Sequence, residues 1–250
     1  MIIPRIYYIS LKICNTNNMK QKTARIICLS CVLIAFFSVL ICVLLKTDFL
    51  VKTDSAIFNF IRIFNSTFLD WLFVILSYIA SSKGIILIMI LLICLPNRKQ
   101  VGFPVSLAVI LSATINFGIK ILVARARPIG LFPNNLPLGY NFPSSFSFPS
   151  GHAQTGTVLF FSIAFCLCQN TKSTTLKTLF ITTAFALSLL TSIGRIYLGV
   201  HFFSDVFCGL LLATAVLIFA KVCYDIFFEK YINYQNNYKC AKKNYTDKLS

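Results

Sequence analysis

Residues Phe103–Pro128 read FPVSLAVILSATINFGIKILVARARP. The run Phe103–Val123 is mostly apolar and about 20 residues long, the length a helix needs to cross a hydrocarbon core of roughly 30 Å. Its end is different. Lys120, Arg125 and Arg127 crowd the last turns, and Pro128 opposes continuation of the helix. Such a stretch reads as a membrane span that delivers cations to one membrane face. The bulk composition agrees: of 250 residues, 57% are hydrophobic and 12% charged, with a mean hydropathy of +0.80. Soluble domains carry about 25% charged and about 45–50% apolar residues. The chain is therefore read as one helical domain in a bilayer, with no room for a second.

Further apolar runs extend this reading to the rest of the chain. Ile26–Leu45, Ala153–Cys168, Leu179–Ile193 and Val206–Phe228 each approach spanning length. Phe68–Leu95 is too long for one minimal span and too short for two with a turn, and Ser81-Ser82-Lys83-Gly84 interrupts it. It is read as one long or broken helix. The expectation is an all-α polytopic bundle of about six transmembrane helices. Ile26–Leu45 exceeds a signal-peptide core and no A-x-A pattern follows it, so it is read as an uncleaved span. Met19-Lys20-Gln21-Lys22 offers a second possible translation start.

Basic residues orient the bundle, because short cytoplasmic loops collect Lys and Arg. With six spans, fifteen of the 23 basic residues fall on one side: those up to Arg25, Arg98-Lys99, Lys172, Lys177, and Lys221 onward. Both termini are thus expected in the cytoplasm, in a membrane of bacterial plasma-membrane type. The division is a cytoplasmic arm over 1–25, a membrane domain over 26–228 with its core at about 106–217, and a polar tail over 229–250. Much of the +16 net charge is then topology and contact with anionic lipid. The charge is dispersed rather than patched, which argues against nucleic-acid binding.

Other features are less informative. Cys28, Cys31, Cys42, Cys94, Cys166, Cys168, Cys208 and Cys223 fall in or at the ends of spans, and Cys14 and Cys240 in the tails. They read as small packing residues rather than disulfides or metal ligands. Asp54–Asn65 places Ile57, Phe60, Ile61 and Phe64 at helical spacing with Asp54 or Ser55 as a cap, an amphipathic helix for the outer membrane surface, or else a loop covering the bundle. The Asn-, Lys- and Tyr-rich tail from Lys230 is expected to be disordered.

Two more polar segments lie on the same expected face as Lys120–Pro128. Pro149–His152 reads PSGH, and Arg195–Asp205 reads RIYLGVHFFSD; together they hold the chain's only two histidines. Lys120, Arg127 and Arg195 can surround one phosphoryl group, the arginines in bidentate fashion. Ser150 and Gly151 open a helix whose N–H groups can face an anion. Such a cage stabilises the charge spread over a phosphoryl-transfer transition state. His201 lies four residues before Asp205, so the carboxylate can fix its tautomer and aim the other nitrogen at phosphorus. His201 is then the nucleophile, Asp205 its orienter, and His152 the proton donor that later activates water. Singly these residues have duller explanations: snorkelling for Lys120, or a helix-end charge for Arg127 or Asp205. Together at one face they point to anion chemistry.

The pattern resembles the type 2 phosphatidic acid phosphatase family, integral-membrane lipid phosphate phosphatases that share a core with acid phosphatases and vanadium haloperoxidases. Its signature is Lys, six residues, Arg-Pro; then Pro-Ser-Gly-His; then Ser-Arg, five residues, His, three residues, Asp. Lys120 and Arg127-Pro128 match the first part, Pro149–His152 the second, and Arg195, His201 and Asp205 the third. Gly194 departs from the pattern, standing where the family has Ser before the arginine. The resemblance implies a phosphohistidine at His201, proton transfer by His152, and hydrolysis of a phosphate monoester or diphosphate with no cofactor and no metal. Independently, only Asp205 of the seven acidic residues is expected in the site, too few carboxylates for a Mg²⁺ centre.

The substrate class is read from the segment Ile129–Pro149, which carries no charge but holds Leu131, Phe132, Leu136, Tyr140, Phe142, Phe146 and Phe148. This wall suits an acyl or isoprenoid chain entering sideways from the outer leaflet; the alternative is a set of interfacial anchors. The expected partners are the bilayer and a lipid phosphate. Undecaprenyl-type diphosphate stands slightly ahead of phosphatidate, phosphatidylglycerophosphate or lipid A phosphate. A haloperoxidase holding vanadate and a non-catalytic lipid carrier are the competing classes.

Overall fold

The computed structural model describes the backbone of residues 3–96, 98–128 and 136–246, and the side chains of these apart from residues 3–20, 224 and 226–246. Among the described residues there are eight α-helices: α1 (Ile3–Leu44), α2 (Asp48–Arg62), α3 (Thr67–Ile79), α4 (Ser82–Cys94), α5 (Gly102–Val123), α6 (Gly151–Gln169), α7 (Thr174–Tyr197) and α8 (Phe203–Thr246), with a 3-10 turn at Pro137–Gly139. Five segments have the length and hydropathy of a span: Gln21–Leu44, Gly102–Val123, Gly151–Gln169, Thr174–Tyr197 and Phe203–Cys223. The pair α3 and α4 passes the same test only together, and is bent by 56°. Each half has 13 residues, about 20 Å at the helical rise, too short to cross alone. Counted as one broken span, the pair gives the expected six.

The break lies where the sequence is interrupted. Ser81 caps α4 by accepting from Gly84 N at 3.2 Å, and donates its hydroxyl to Tyr78 O at 2.7 Å. A Cβ on Gly84 would stand 2.4 Å from the carbonyl oxygens of both Tyr78 and Ile79. Only glycine lets the two halves fold this closely.

The chain divides into two units, 28–217 and a second made of 1–27 with 218–250. In the second, Asp225 pairs with Arg25 and with Lys221. The expected disorder of the tail is not what the backbone adopts: α8 continues to Thr246. No Gly or Pro interrupts Leu210–Thr246, so nothing local stops the helix.

In residues 28–217 the distribution of polarity is inverted. Leu107 is 70% and Leu122 84% exposed, while Asn116, Gln154, Arg195, His201 and Asp205 are buried. Apolar side chains facing outward and ionisable ones facing inward are what a lipid solvent demands, and buried ionisable groups in such a bundle mark function. The core between α5, α6 and α7 is built from Val105, Val109, Val158, Leu159 and Ala184. Beside it Asn116 donates to Gln154 Oε1 at 2.8 Å, and Gln154 donates to Ser112 O at 3.0 Å. These bonds tie α5 to the head of α6.

The amphipathic segment also differs from expectation. It starts at Asp48, so Asp54 lies inside α2 rather than at its cap, and is 3% exposed. Ile57, Phe58 and Ile61 on the same helix pack against Ala153, Ile196 and Val206. Asp54 therefore faces the bundle, not the membrane surface.

Candidate active site

Three chain segments meet where α5 ends, α6 begins and α7 turns into α8. Ala124 ends α5 in the left-handed region (φ 47°, ψ 34°), an uncommon conformation for a residue with a Cβ. The chain then turns through Arg125 and Arg127. Ser150 caps α6, accepting from Ala153 N at 3.5 Å. Gly199, at φ 63°, makes the turn that returns the chain to His201.

The cations converge as expected. Lys120 Nζ donates to Phe146 O at 2.6 Å and Ser147 O at 3.3 Å. Arg127 donates to Ser145 O at 2.6 Å, to Val200 O at 2.6 Å and to Ser145 Oγ at 3.0 Å. Arg195 is fully buried; Nη1 donates to Ser77 Oγ at 2.9 Å and to the Tyr140 hydroxyl. Its Nε and Nη2 have no hydrogen-bond partner among the described residues. Burial and the nearby charge of Arg195 lower the Arg127 pKa to about 10. A buried cluster of like charges with unpaired donors is an arrangement that favours an anion.

His201 is held in one tautomer by its neighbours. Arg127 Nη1 lies 3.0 Å from His201 Nε2, and a guanidinium can only donate. Nε2 therefore presents its lone pair and the proton sits on Nδ1. Nδ1 is 3.5 Å from Asp205 Oδ2 and 3.4 Å from Ser147 Oγ, and Ser147 donates its own hydroxyl to Asp205 Oδ2. The expected direct His201–Asp205 bond is thus supplemented by a serine relay, because 3.5 Å is long for an N–H···O bond. Burial, then the charges of Arg127, Arg195 and Lys120, hold His201 well below the ordinary imidazole range. It is neutral at neutral pH, with its Nε2 lone pair directed at Arg127.

His152 donates Nε2–H to Ser77 O at 3.2 Å, which leaves the Nδ1 lone pair to take a proton and, once it has, to pass it on. Ser77 thereby joins His152 to Arg195. The helix head is partly committed: Ser150 N donates to the Asp205 carbonyl at 3.0 Å, so of the two N–H groups expected to face an anion that of Ser150 is taken. Gly151, at the first position of α6, keeps an N–H without an intrahelical acceptor. Gly194 has a packing reason, since a Cβ there would lie 2.7 Å from Phe73 Cδ1.

Several residues in this cluster carry no motif. Arg125 Nη1 donates to Asp205 Oδ1 at 2.6 Å and to Ser204 Oγ at 2.7 Å, and Nη2 donates to Asp54 Oδ2 at 2.9 Å. Asp54 also accepts from Ser204 N and Ser204 Oγ, each at 2.8 Å. Two carboxylates, not one, therefore belong to the cluster. A signal for Asp54 was present: it shares a helical face with Ile57 and Ile61, the face that packs inward. Ser77, Tyr140 and Ser147 had no comparable signal.

The aromatic wall is reduced by burial. Phe148 packs against Phe36 with ring centroids 6.2 Å apart and is fully buried, and Leu136 is buried in the core. Phe142 packs with Leu136 and Tyr197. Leu138 and Phe146 are exposed; Leu131 and Phe132 lie outside the described residues.

A solved structure of a transmembrane PAP2 type phosphatidylglycerolphosphate phosphatase from Bacillus subtilis superposes with a TM-score of 0.67 over 79% of this chain and 96% of its own, at 22% identity. That likeness shows the fold. Aquifex aeolicus LpxE aligns over 65% of this chain and 91% of its own, at 26% identity and a TM-score of 0.49. In sequence, phosphatidylglycerophosphatase B of Bacillus subtilis (strain 168) is 34% identical over 109 residues, 43% of this chain and 50% of that protein. The chain thus spans about half the length of this curated relative. The family model of the PAP2 superfamily matches residues 102–229, which contain the end of α5, the head of α6 and the α7–α8 turn. The chain belongs to the PAP2 superfamily.

Proposed function

We propose that the chain is a metal-independent membrane phosphatase that hydrolyses a lipid phosphate through a phosphohistidine at His201. The observation that carries this is the pairing of a neutral, tautomer-fixed His201 with a buried Arg195 whose Nε and Nη2 lack partners among the described residues. His201 Nε2 attacks phosphorus, the N–P bond forms and the P–O bond to the lipid breaks. His152, which takes up a second proton together with the phosphate dianion, gives that Nδ1 proton to the departing oxygen. The same nitrogen then takes a proton from water, which attacks the phosphohistidine and releases inorganic phosphate. Arg127 must move from Nε2 to the phosphoryl oxygens for the attack, joining Lys120, Arg195 and the Gly151 N–H.

A phosphate monoester on a glycerolipid is the first substrate class, from the name of the curated relative that is 34% identical over 109 residues. Isoprenoid diphosphate is the second, because the same cage accepts a terminal phosphoryl group. Purified protein in detergent should release phosphate from phosphatidylglycerophosphate, phosphatidate or isoprenoid diphosphate offered in parallel. Activity should survive EDTA, because both carboxylates of the cluster are turned onto Arg125 rather than toward a shared cation. Vanadate should inhibit by occupying the cage. Loss of activity on chelation with recovery on Mg²⁺, or no release from any lipid, overturns the reading; halide oxidation would favour the haloperoxidase.

The reading also places the site on the outer face and both termini in the cytoplasm, supported by the split of fifteen basic residues against eight. Alkaline phosphatase fused after Asn135 should be active, and a fusion after Lys172 inactive. The reverse pattern would turn the site inward and change the leaflet that supplies substrate.

A further inference from the structure

Asp54 lies outside the region matched by the family model, 102–229, yet it is among the most buried charged side chains of the cluster, at 3% exposure. It does not touch His201. It reaches the site through Arg125, whose two terminal nitrogens are divided between two carboxylates: Nη1 at 2.6 Å from Asp205 Oδ1 and Nη2 at 2.9 Å from Asp54 Oδ2. Arg125 also lies over Phe202, its guanidinium carbon 4.2 Å from the ring centroid. Ser204, next to Asp205, gives both its N–H and its hydroxyl to Asp54 at 2.8 Å. So α2 grips the first turn of α8 at Ser204 and the segment after α5 at Arg125.

The charge balance gives this grip a chemical role. Asp205 has two calls on its charge: Oδ2 serves Ser147 and the Phe202 N–H and faces His201 Nδ1, while Oδ1 serves Arg125. If Arg125 belonged to Asp205 alone, its full positive charge would oppose the effect of the carboxylate on the imidazole. Sharing Arg125 with Asp54 leaves the triad with one net negative charge, and that charge stays available to the His201 Nδ1–H.

We propose that Asp54 and Arg125 form a positioning pair for the reaction, in which α2 holds Arg125 so that Asp205 keeps its charge and its aim on His201. The inference rests on the reading of His201 as nucleophile. Neither residue touches the reacting atoms, and Lys120, Arg127 and Arg195 remain as the phosphate donors.

Asp54→Asn is close to isosteric and keeps an oxygen for the Ser204 N–H, but it removes the charge and turns the acceptor of Arg125 Nη2 and Ser204 Oγ into a donor. It should lower kcat roughly tenfold to a hundredfold, the scale on which hydrogen-bond partners behind metal-bound histidines act, with KM little changed. Because the chain has two histidines, the imidazole N–H protons can be assigned by NMR in micelles with His152→Ala and His201→Ala. In Asp54→Asn the His201 Nδ1–H signal should move upfield, as Arg125 draws charge from Asp205. In Arg125→Met it should move downfield. Asp48→Asn, exposed in the first turn of the same helix, should change neither signal nor kcat.

The outcomes separate the two readings. A wild type inactive on every lipid phosphate sinks the phosphatase reading, while the NMR shifts still report on the pair. An active wild type with kcat and the Nδ1–H signal unchanged in Asp54→Asn sinks the positioning role. Shifts in the same direction in both variants also sink it. Loss of folded protein in both would show a purely structural clasp and overturn the role equally.

Discussion

Replacing His201 by alanine should reduce phosphate release by about 10⁴–10⁶-fold, the range seen when a member of a nucleophilic unit is removed. The residue is 2% exposed and its Nε2 lone pair faces the cation cluster, so no other side chain can substitute. The loss should fall on kcat, because the anion donors are untouched, and vanadate should still bind. Activity above about a tenth of wild type would assign the nucleophile elsewhere. A stability effect accompanies this. The folded pKa of His201 is depressed below the ordinary 6.5, so the unfolded chain takes up the proton first. The wild type therefore loses stability as pH falls through 6.5 and below. His201→Ala should lack that contribution, which thermal unfolding at pH 7 and pH 5 can test.

Arg195→Ala should lower kcat/KM by about 10³–10⁵-fold, the scale on which a positioned arginine stabilises phosphoryl transfer. The expectation follows from its geometry: Nη1 is fixed by Ser77 and Tyr140, with the Tyr140 ring centroid 5.8 Å from the guanidinium carbon. That leaves Nε and Nη2 as the pair of donors for an anion. Arg195→Lys keeps the charge but loses the fork, so it should recover little. Steady-state kinetics with vanadate inhibition constants would check both variants. A loss below about tenfold in Arg195→Ala would mean that Lys120 and Arg127 suffice.

The sequence was most legible where charge broke an apolar run. Lys120, Arg127, Arg195, His201 and Asp205 stood at the ends of spans, and the structure brings them together. What escaped was held by contacts distant in sequence and chemically ordinary. Asp54 sits in a Thr-Asp-Ser stretch that resembles a cap, and its partner Arg125 is 71 residues away. Ser147 is one serine among several in PSSFSFPSGH, and only folding shows that this one lies between His201 and Asp205. The tail was misread because composition reports polarity, whereas helix continuation depends on the absence of breakers. Phe148 was misread for a related reason, since hydrophobicity alone does not tell a core ring from one that meets a lipid chain.

The bend between α3 and α4 has a consequence for how such a chain can vary. In an unbroken helix the Ser77 carbonyl would be taken by the N–H of Ser81, four residues on. Here Ser81 N turns to Tyr78 O instead, and Ser77 O is released to receive His152. What a hydropathy profile scores as a flaw in a span is thus an acceptor supplied to His152. Under the proposed mechanism, substitutions that smooth the profile at Ser81 or Gly84 should return the Ser81 N–H to Ser77 O, cost His152 its acceptor and slow turnover while improving the span.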